Sequence, residues 1–289
     1  MTSLLLPAPG SLYRQASKEW PEIYRVREAI LGASCSIVPF GDRLIAGKES
    51  ASTFLGKRFA TGGLAPTWTP TEALSALDTP FDLSLPSNWL GAAPLLKLNT
   101  TTVDEAMSTP DAAYWTAALT AFSAGCWARW HTIGTSQALW GKWADTTGVE
   151  TREWRLHVNG VTGIQFNIFD ETADARIARY QNAVSFVNGA IYHIVGTYDG
   201  GTAASGIKIY VNGAQVDDTN DNTGVFVTMQ DTAATVRIGS RTAAGGTQTD
   251  FLKAHLLGGP FGPFYTPKEL TSFEVANLYH YEREKLGIN

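Results

Sequence analysis

Retaining hydrolysis of a glycosidic bond needs two carboxyl groups about 5–5.5 Å apart, one as nucleophile and one as acid/base. The second half of this sequence is short of them: after Glu171 the next glutamate is Glu269. The nearest acidic spacing, DETAD at 170–174, holds no second glutamate and reads as a loop between strands. There is no Gly-x-Ser-x-Gly elbow, His-Glu-x-x-His, paired Cys-x-x-Cys or P-loop. His193 lies in a strand-like run and reads as a packed or edge histidine. His131, His157, His255 and His280 lack partners at metal-ligand spacing. The inventory predicts no catalytic residues, no metal centre and no enzyme.

Two groups of residues could bind instead. The loop DDTNDNTG (217–224) offers Asp217, Asp218, Asn220, Asp221 and Asn222, hard oxygen ligands of the kind calcium prefers. As an EF-hand counted from Asp218 it fails, because Thr223 and Met229 stand where Gly and Glu are required. Its other reading is a polar turn rich in Asx residues, with no cofactor at all. Six of the nine tryptophans fall between Trp115 and Trp154. Trp127 reads as core. Trp130, Trp140 and Trp143 are the candidates for exposed contact with a glycan or a partner, against the alternative of ordinary packing. Trp140 and Trp143 are three apart, so in a strand they face opposite sides.

The elements that must position these residues are mostly strands. From residue 121 onward, short apolar runs alternate with turn signals: Asn159-Gly160, Asn188-Gly189, Asp199-Gly200 and Asn212-Gly213. The runs include FSAGCWARW (122–130), ALWGKW (138–143), EWRLHV (153–158), GIQFNIF (163–169), AIYHIVGTY (190–198), IKIYV (207–211), GVFVTM (224–229), TVRIGS (235–240) and FGPFYT (261–266). Many short strands with frequent turns predict an all-β sandwich or barrel. One helix follows over 272–285, with Thr271 and Glu274 spaced as a capping box. Residues 1–91 read differently. A Pro/Gly-punctuated arm leads into a helix at 21–31, where Ile23, Val26 and Ile30 recur at helical spacing and Gly32 supplies the stop. The stretch 34–87 is rich in Gly, Pro, Ser and Thr.

The segment GAIYHIVGTYDGGTAASGIKIYVNGAQV (189–216) resembles the core signature of laminin G-like, concanavalin A-like jelly rolls. His193, Thr197, Tyr198, Asp199 and Gly200 match its first strand, with Ile191 in place of the usual Trp. Tyr210, Val211, Asn212 and Gly213 match its hairpin. FSAGCWARW resembles the early strand, TVRIGSR (235–241) a late one, and GPFGPFYTPKELTSFEVANLY (259–279) the closing strand and helix. The resemblance implies a two-sheet antiparallel jelly-roll sandwich over about 92–289, with 1–91 as an assembly or docking segment. Some relatives of this fold hydrolyse β-glucans with a Glu-x-Asp-x-x-Glu strand, which is missing here.

Composition narrows the function. Lysine and arginine number 22 against 27 acidic residues, a net charge of −5 with no basic footprint for nucleic acid. Hydrophobic residues make up 44% and charged ones 17%, which excludes a highly charged disordered chain. No run is long enough to insert in a membrane as a helix. MTSLLLPAPG lacks the positive start of a secretory signal, and Cys35 and Cys126 are too few for a disulfide framework. Laminin G-like domains recur in phage decoration and tail proteins. The resemblance therefore implies a non-enzymatic bacteriophage virion protein, made in the host cytoplasm and joined to other virion proteins as a homo-oligomer or lattice. The assembly helix would carry Ile23, Val26 and Ile30, and deleting 1–33 should leave the sandwich folded. The alternative is a glycan-binding adhesin or receptor-binding module.

Overall fold

Alternating residue types give most of the strands two unlike faces. In Thr151–Val158, Trp154, Leu156 and Val158 turn into the core, which leaves Arg155 and His157 on the opposite side. In Ile164–Asp170, Phe166 and Ile168 turn inward and Asn167 outward. The computed structural model describes residues 22–37, 54–55, 57–58, 67–70, 95–97, 106–146, 148, 150–159, 163–182 and 185–288. Among them, the strands form two sheets that enclose one aromatic core, a concanavalin A-like antiparallel sandwich.

The nine-stranded sheet centres on Phe122–Trp130, flanked by Ile191–Tyr198 on one side and by Phe264–Thr266 and Ala254–Leu257 on the other. The eleven-stranded sheet runs through Ala175–Gln181, Ile164–Asp170, Thr151–Val158, Gln137–Ala144, Val236–Ile238 and Met107–Thr109. Rings from the two sheets meet in the middle. Phe122 lies 5.7 Å from Phe166, and Tyr265 lies 5.6 Å from Trp154 and 5.2 Å from Trp115, centroid to centroid. Such pairs add about 0.5–1.5 kcal/mol each beyond area burial.

Asn212 and Gly213 both take positive φ, as the two-residue hairpin turn requires. The Asn212 side chain accepts from the His193 amide at 2.9 Å, and a Cβ on Gly213 would meet the Tyr279 ring at 2.9 Å. The C-terminal helix, Ser272–Leu286, begins with the expected capping box: Glu274 N donates to Thr271 Oγ1 at 3.2 Å and Thr271 N to Glu274 Oε2 at 2.9 Å. GVFVTM (224–229) is a loop and not a strand. Asp170 holds it by accepting from the amides of Val227 at 2.9 Å and Thr228 at 3.0 Å, so a side chain takes the place of a strand partner.

The N-terminal helix, 22–31, lies on its own sandwich. Ile23, Tyr24 and Leu31 share an apolar cluster with Trp127, Val195 and Phe264 of the nine-stranded sheet and with Val275 and Leu278 of the C-terminal helix. Arg27 forms a fully buried ion pair with Glu282 at 2.7 Å and donates to Gly262 O at 3.0 Å. Strand Ser36–Ile37 pairs with Phe264–Thr266, and Thr67–Pro70 pairs with Met107–Thr109. The described parts of 1–91 form edges and cover of the sandwich. Of the three helix residues expected to contact neighbouring subunits, Ile23 is buried here and Val26 and Ile30 are half-buried, while Glu22, Arg25 and Ala29 are exposed. The arm before residue 22 lies outside the described residues.

Candidate functional site

The tryptophan expectation is corrected first. Trp130 is 0% exposed, Trp140 1% and Trp143 5%, so none forms an open platform for a sugar ring. Trp130 and Trp140 lie in the inter-sheet core because their strand positions turn inward. Trp143 faces the other way. Its ring meets Phe169 edge-on at 5.5 Å and carries the Arg155 guanidinium 4.5 Å from its centroid. Trp127 is buried as expected, but beneath the helices and not between the sheets.

The outward side of the eleven-stranded sheet holds the chemistry that the sequence did not single out. Strand register places Ser108, Arg237, Gly141, Arg155, Asn167 and Ala178 in one row across it. Gly141 is needed where the strands close up beside a bulge, since a Cβ there would meet Trp154 O at 2.8 Å. Arg155 and Arg237 are half-buried, and Arg155 Nε and Arg237 Nη1 have no hydrogen-bond partner. Asn167 is fully buried and its Oδ1 is also unpartnered, while its Nδ2 lies 3.5 Å from His157 Nδ1. A buried polar group left unpaired costs about 1–3 kcal/mol. The indoles of Trp68, Trp130 and Trp140 lack partners too, but they are enclosed between the sheets.

Electrostatics distinguish this row from its rim. Burial, reinforced by nearby Arg241, pushes Arg155 down to about 10. Burial also lowers Arg237. His157 is held neutral well below its usual range, by burial first and then by Arg155, Arg241 and Arg176. At the rim, Arg241 Nε pairs with Asp250 at 2.5 Å and its Nη1 with Asp145, which also accepts from Trp143 Nε1 at 2.9 Å. Arg176 pairs with Asp221 at 2.8 Å. The rim cations are neutralised; among the described residues Arg155 and Arg237 form no ion pair, and Arg237 Nε donates to Thr242 Oγ1 at 3.2 Å.

The acidic loop does not converge on a point. Asp217 is taken by Arg179 at 2.7 Å, Asp221 by Arg176 and by Gln165 Nε2 at 2.6 Å, and Asn222 accepts from Ala178 N at 3.3 Å. Arginines supply the positive charge that calcium would bring. A second acidic group sits at Lys142, whose buried ammonium lies 2.6 Å from Glu153, 2.7 Å from Asp111 and 3.3 Å from Asp231. Burial opposes its charge, yet Glu153 and Asp111 outweigh that and raise its pKa. The ammonium is thus shared by three carboxyl groups.

The fold places the chain in a class of lectin-like sandwiches. Residues 100–256 match the model of a laminin G family described as the concanavalin A-like lectin/glucanases superfamily. That match covers more than half of the sequence, and the chain belongs to this superfamily. Among solved structures it is similar to the Trypanosoma rangeli sialidase in complex with sialic acid, at 13% identity and TM-score 0.54, covering 95% of this chain and 39% of that one. It is also similar to the binding domain of Paraclostridial Mosquitocidal Protein 1 (11% identity, TM-score 0.44, 66% of this chain and 43% of that one). A third is the Ruminococcus gnavus IT-sialidase CBM40 bound to alpha2,3 sialyllactose (12% identity, TM-score 0.43, 56% and 84%). The chain thus spans well under half of the sialidase and of the mosquitocidal binding domain. At these identities the sialidase match supports the fold alone. No curated protein matches in sequence.

Proposed function

We propose that this chain is a non-enzymatic glycan-binding module whose ligand lies on the outward face of the eleven-stranded sheet, held by Arg155 and Arg237. The Trp143 ring carries Arg155, while Asn167 and His157 are buried within the face. The observation that supports this reading is two half-buried guanidinium groups in one cross-strand row, with no acid paired to them among the described residues. Donors so placed suit the oxygen-rich edge of a sugar. The non-enzymatic part is supported by Lys142, which occupies the acidic cluster. Glycan-array binding of the full chain, wild type against Arg155→Ala, tests the reading. Hits for the wild type that disappear in the variant are expected; an empty wild-type array sinks it.

Display on a bacteriophage virion, as capsid decoration or tail component, is proposed on the sequence resemblance. Its partners would be other virion proteins or further copies of the chain. Light scattering of the full-length protein tests self-assembly, and a monomer at micromolar concentration would remove the homo-oligomer.

A further inference from the structure

We infer that the glycan recognised on this face is acidic, its carboxylate or sulfate group received by Arg155 and Arg237. The inference rests on the glycan-binding reading and deepens it. Every other described arginine on this part of the sheet has an internal acid: Arg152 has Glu171 and Asp174, Arg176 has Asp221, Arg179 has Asp217, and Arg241 has Asp145 and Asp250. Arg155 and Arg237 have none among the described residues, although both are partly removed from water. They are two strands apart with Gly141 between them, about 10 Å from Cα to Cα by the spacing of a sheet. Nothing rises from Gly141 to separate them, and two arginine side chains can meet over that gap. Guanidinium N–H groups match the planar oxygens of a carboxylate and the tetrahedral oxygens of a sulfate. A neutral sugar would leave both charges without a counter-ion in a half-buried setting.

The test is calorimetric titration of the full-length chain with three probes: an oligogalacturonate, the same oligosaccharide after carboxyl reduction, and a sulfated oligosaccharide of equal length. At least one acidic probe should bind ten-fold or more tightly than the reduced one, and which one binds identifies the anion. Arg155→Gln and Arg237→Gln should each weaken that probe about ten-fold while leaving the melting temperature within a few degrees. Equal binding of the reduced and acidic probes overturns the inference and leaves the lectin reading standing. Binding of none of the three overturns both. The wild-type comparison needs no variant, so misfolding of a mutant cannot obscure the result.

Discussion

The two outward faces of the sandwich treat charge in opposite ways. On the nine-stranded sheet both helices cover the face, and the charges beneath them find each other: Arg27 meets Glu282, which also accepts from the Trp127 indole. His193, 4.0 Å from Glu282 and flanked by Trp127 and Tyr279, is held neutral by burial first and then by the charge of Arg27. On the eleven-stranded sheet, Arg155 and Arg237 have no acid paired to them among the described residues. Buried atoms without a hydrogen-bond partner occur on both sides, Arg27 Nε and Glu282 Oε1 included, so the difference lies in the ion pairing of the arginines.

The contrast is sharpest for single charge deletions. Arg27→Ala strands Glu282 in a fully buried site, and loss of one partner from such a pair costs about 3–5 kcal/mol. Denaturant unfolding should show this, and Arg27→Met with Glu282→Leu should recover most of it. Truncation of 1–33 removes the same partner, so the sandwich, expected to stay folded without it, should unfold more easily than the full chain. A change under 1 kcal/mol in either would place the N-terminal helix outside the stable fold.

Asp170 asks whether internal pairing, and not the choice of sheet, sets the cost. It belongs to the eleven-stranded sheet but is buried, with partners in Ala173, Val227, Thr228 and Gln230. Burial raises its pKa, yet these hydrogen bonds outweigh that and leave it below the usual value. Asp170→Ala leaves several donors unmet, and a loss of about 3 kcal/mol in unfolding free energy is expected. Proteolysis within 224–230 should increase with it.

Acid should act through the buried histidines of both faces. Burial, then Arg27, pushes His193 from 6.5 down to about 3. The unfolded chain therefore binds a proton that the folded one refuses, and stability falls as pH drops through that window. From pH 7 to 5 the loss from His193 is about 2 kcal/mol. His157 adds a loss of the same sign. Melting curves at a series of pH values should give a shallower slope for His193→Phe; an unchanged slope would assign the effect elsewhere.

The smallest stability effect belongs to the ligand face. Arg155→Gln removes a charge without stranding a partner, and relieves its repulsion with Arg241. Its unfolding free energy should stay within about 1 kcal/mol of wild type, the size of the cation–π contact with Trp143. A loss as large as that of Arg27→Ala would show that Arg155 is structural, and erase the difference between the two faces.

Strands and turns were legible because they depend on neighbours in sequence. FSAGCWARW and IKIYV match the observed strands Phe122–Trp130 and Ile207–Val211 residue for residue, and the Thr271–Glu274 capping box is as expected. Ala175–Gln181 was missed because Arg176 and Arg179 break its apolar run; Arg176 lies on the outward face, and Arg179, at a core-side position opposite Phe166, is held by Asp217. The candidate site was half legible. Alternation in EWRLHV already sets Arg155 and His157 on one side of their strand, but Arg237 lies 82 residues further on. Only strand register brings it beside Gly141.

The sequence by itself determined an all-β chain with alternating faces, a hairpin turn at Asn212-Gly213 and a capped closing helix, because periodicity and turn chemistry act over a few residues. The tertiary structure decided what each outward side chain meets. It buried Trp130 and Trp140 between the sheets, closed the N-terminal helix over Glu282, and left Arg155 and Arg237 without acids. Pairing of charges depends on register and on which element covers which face, and contacts of that kind join residues too distant in sequence for local pattern to specify.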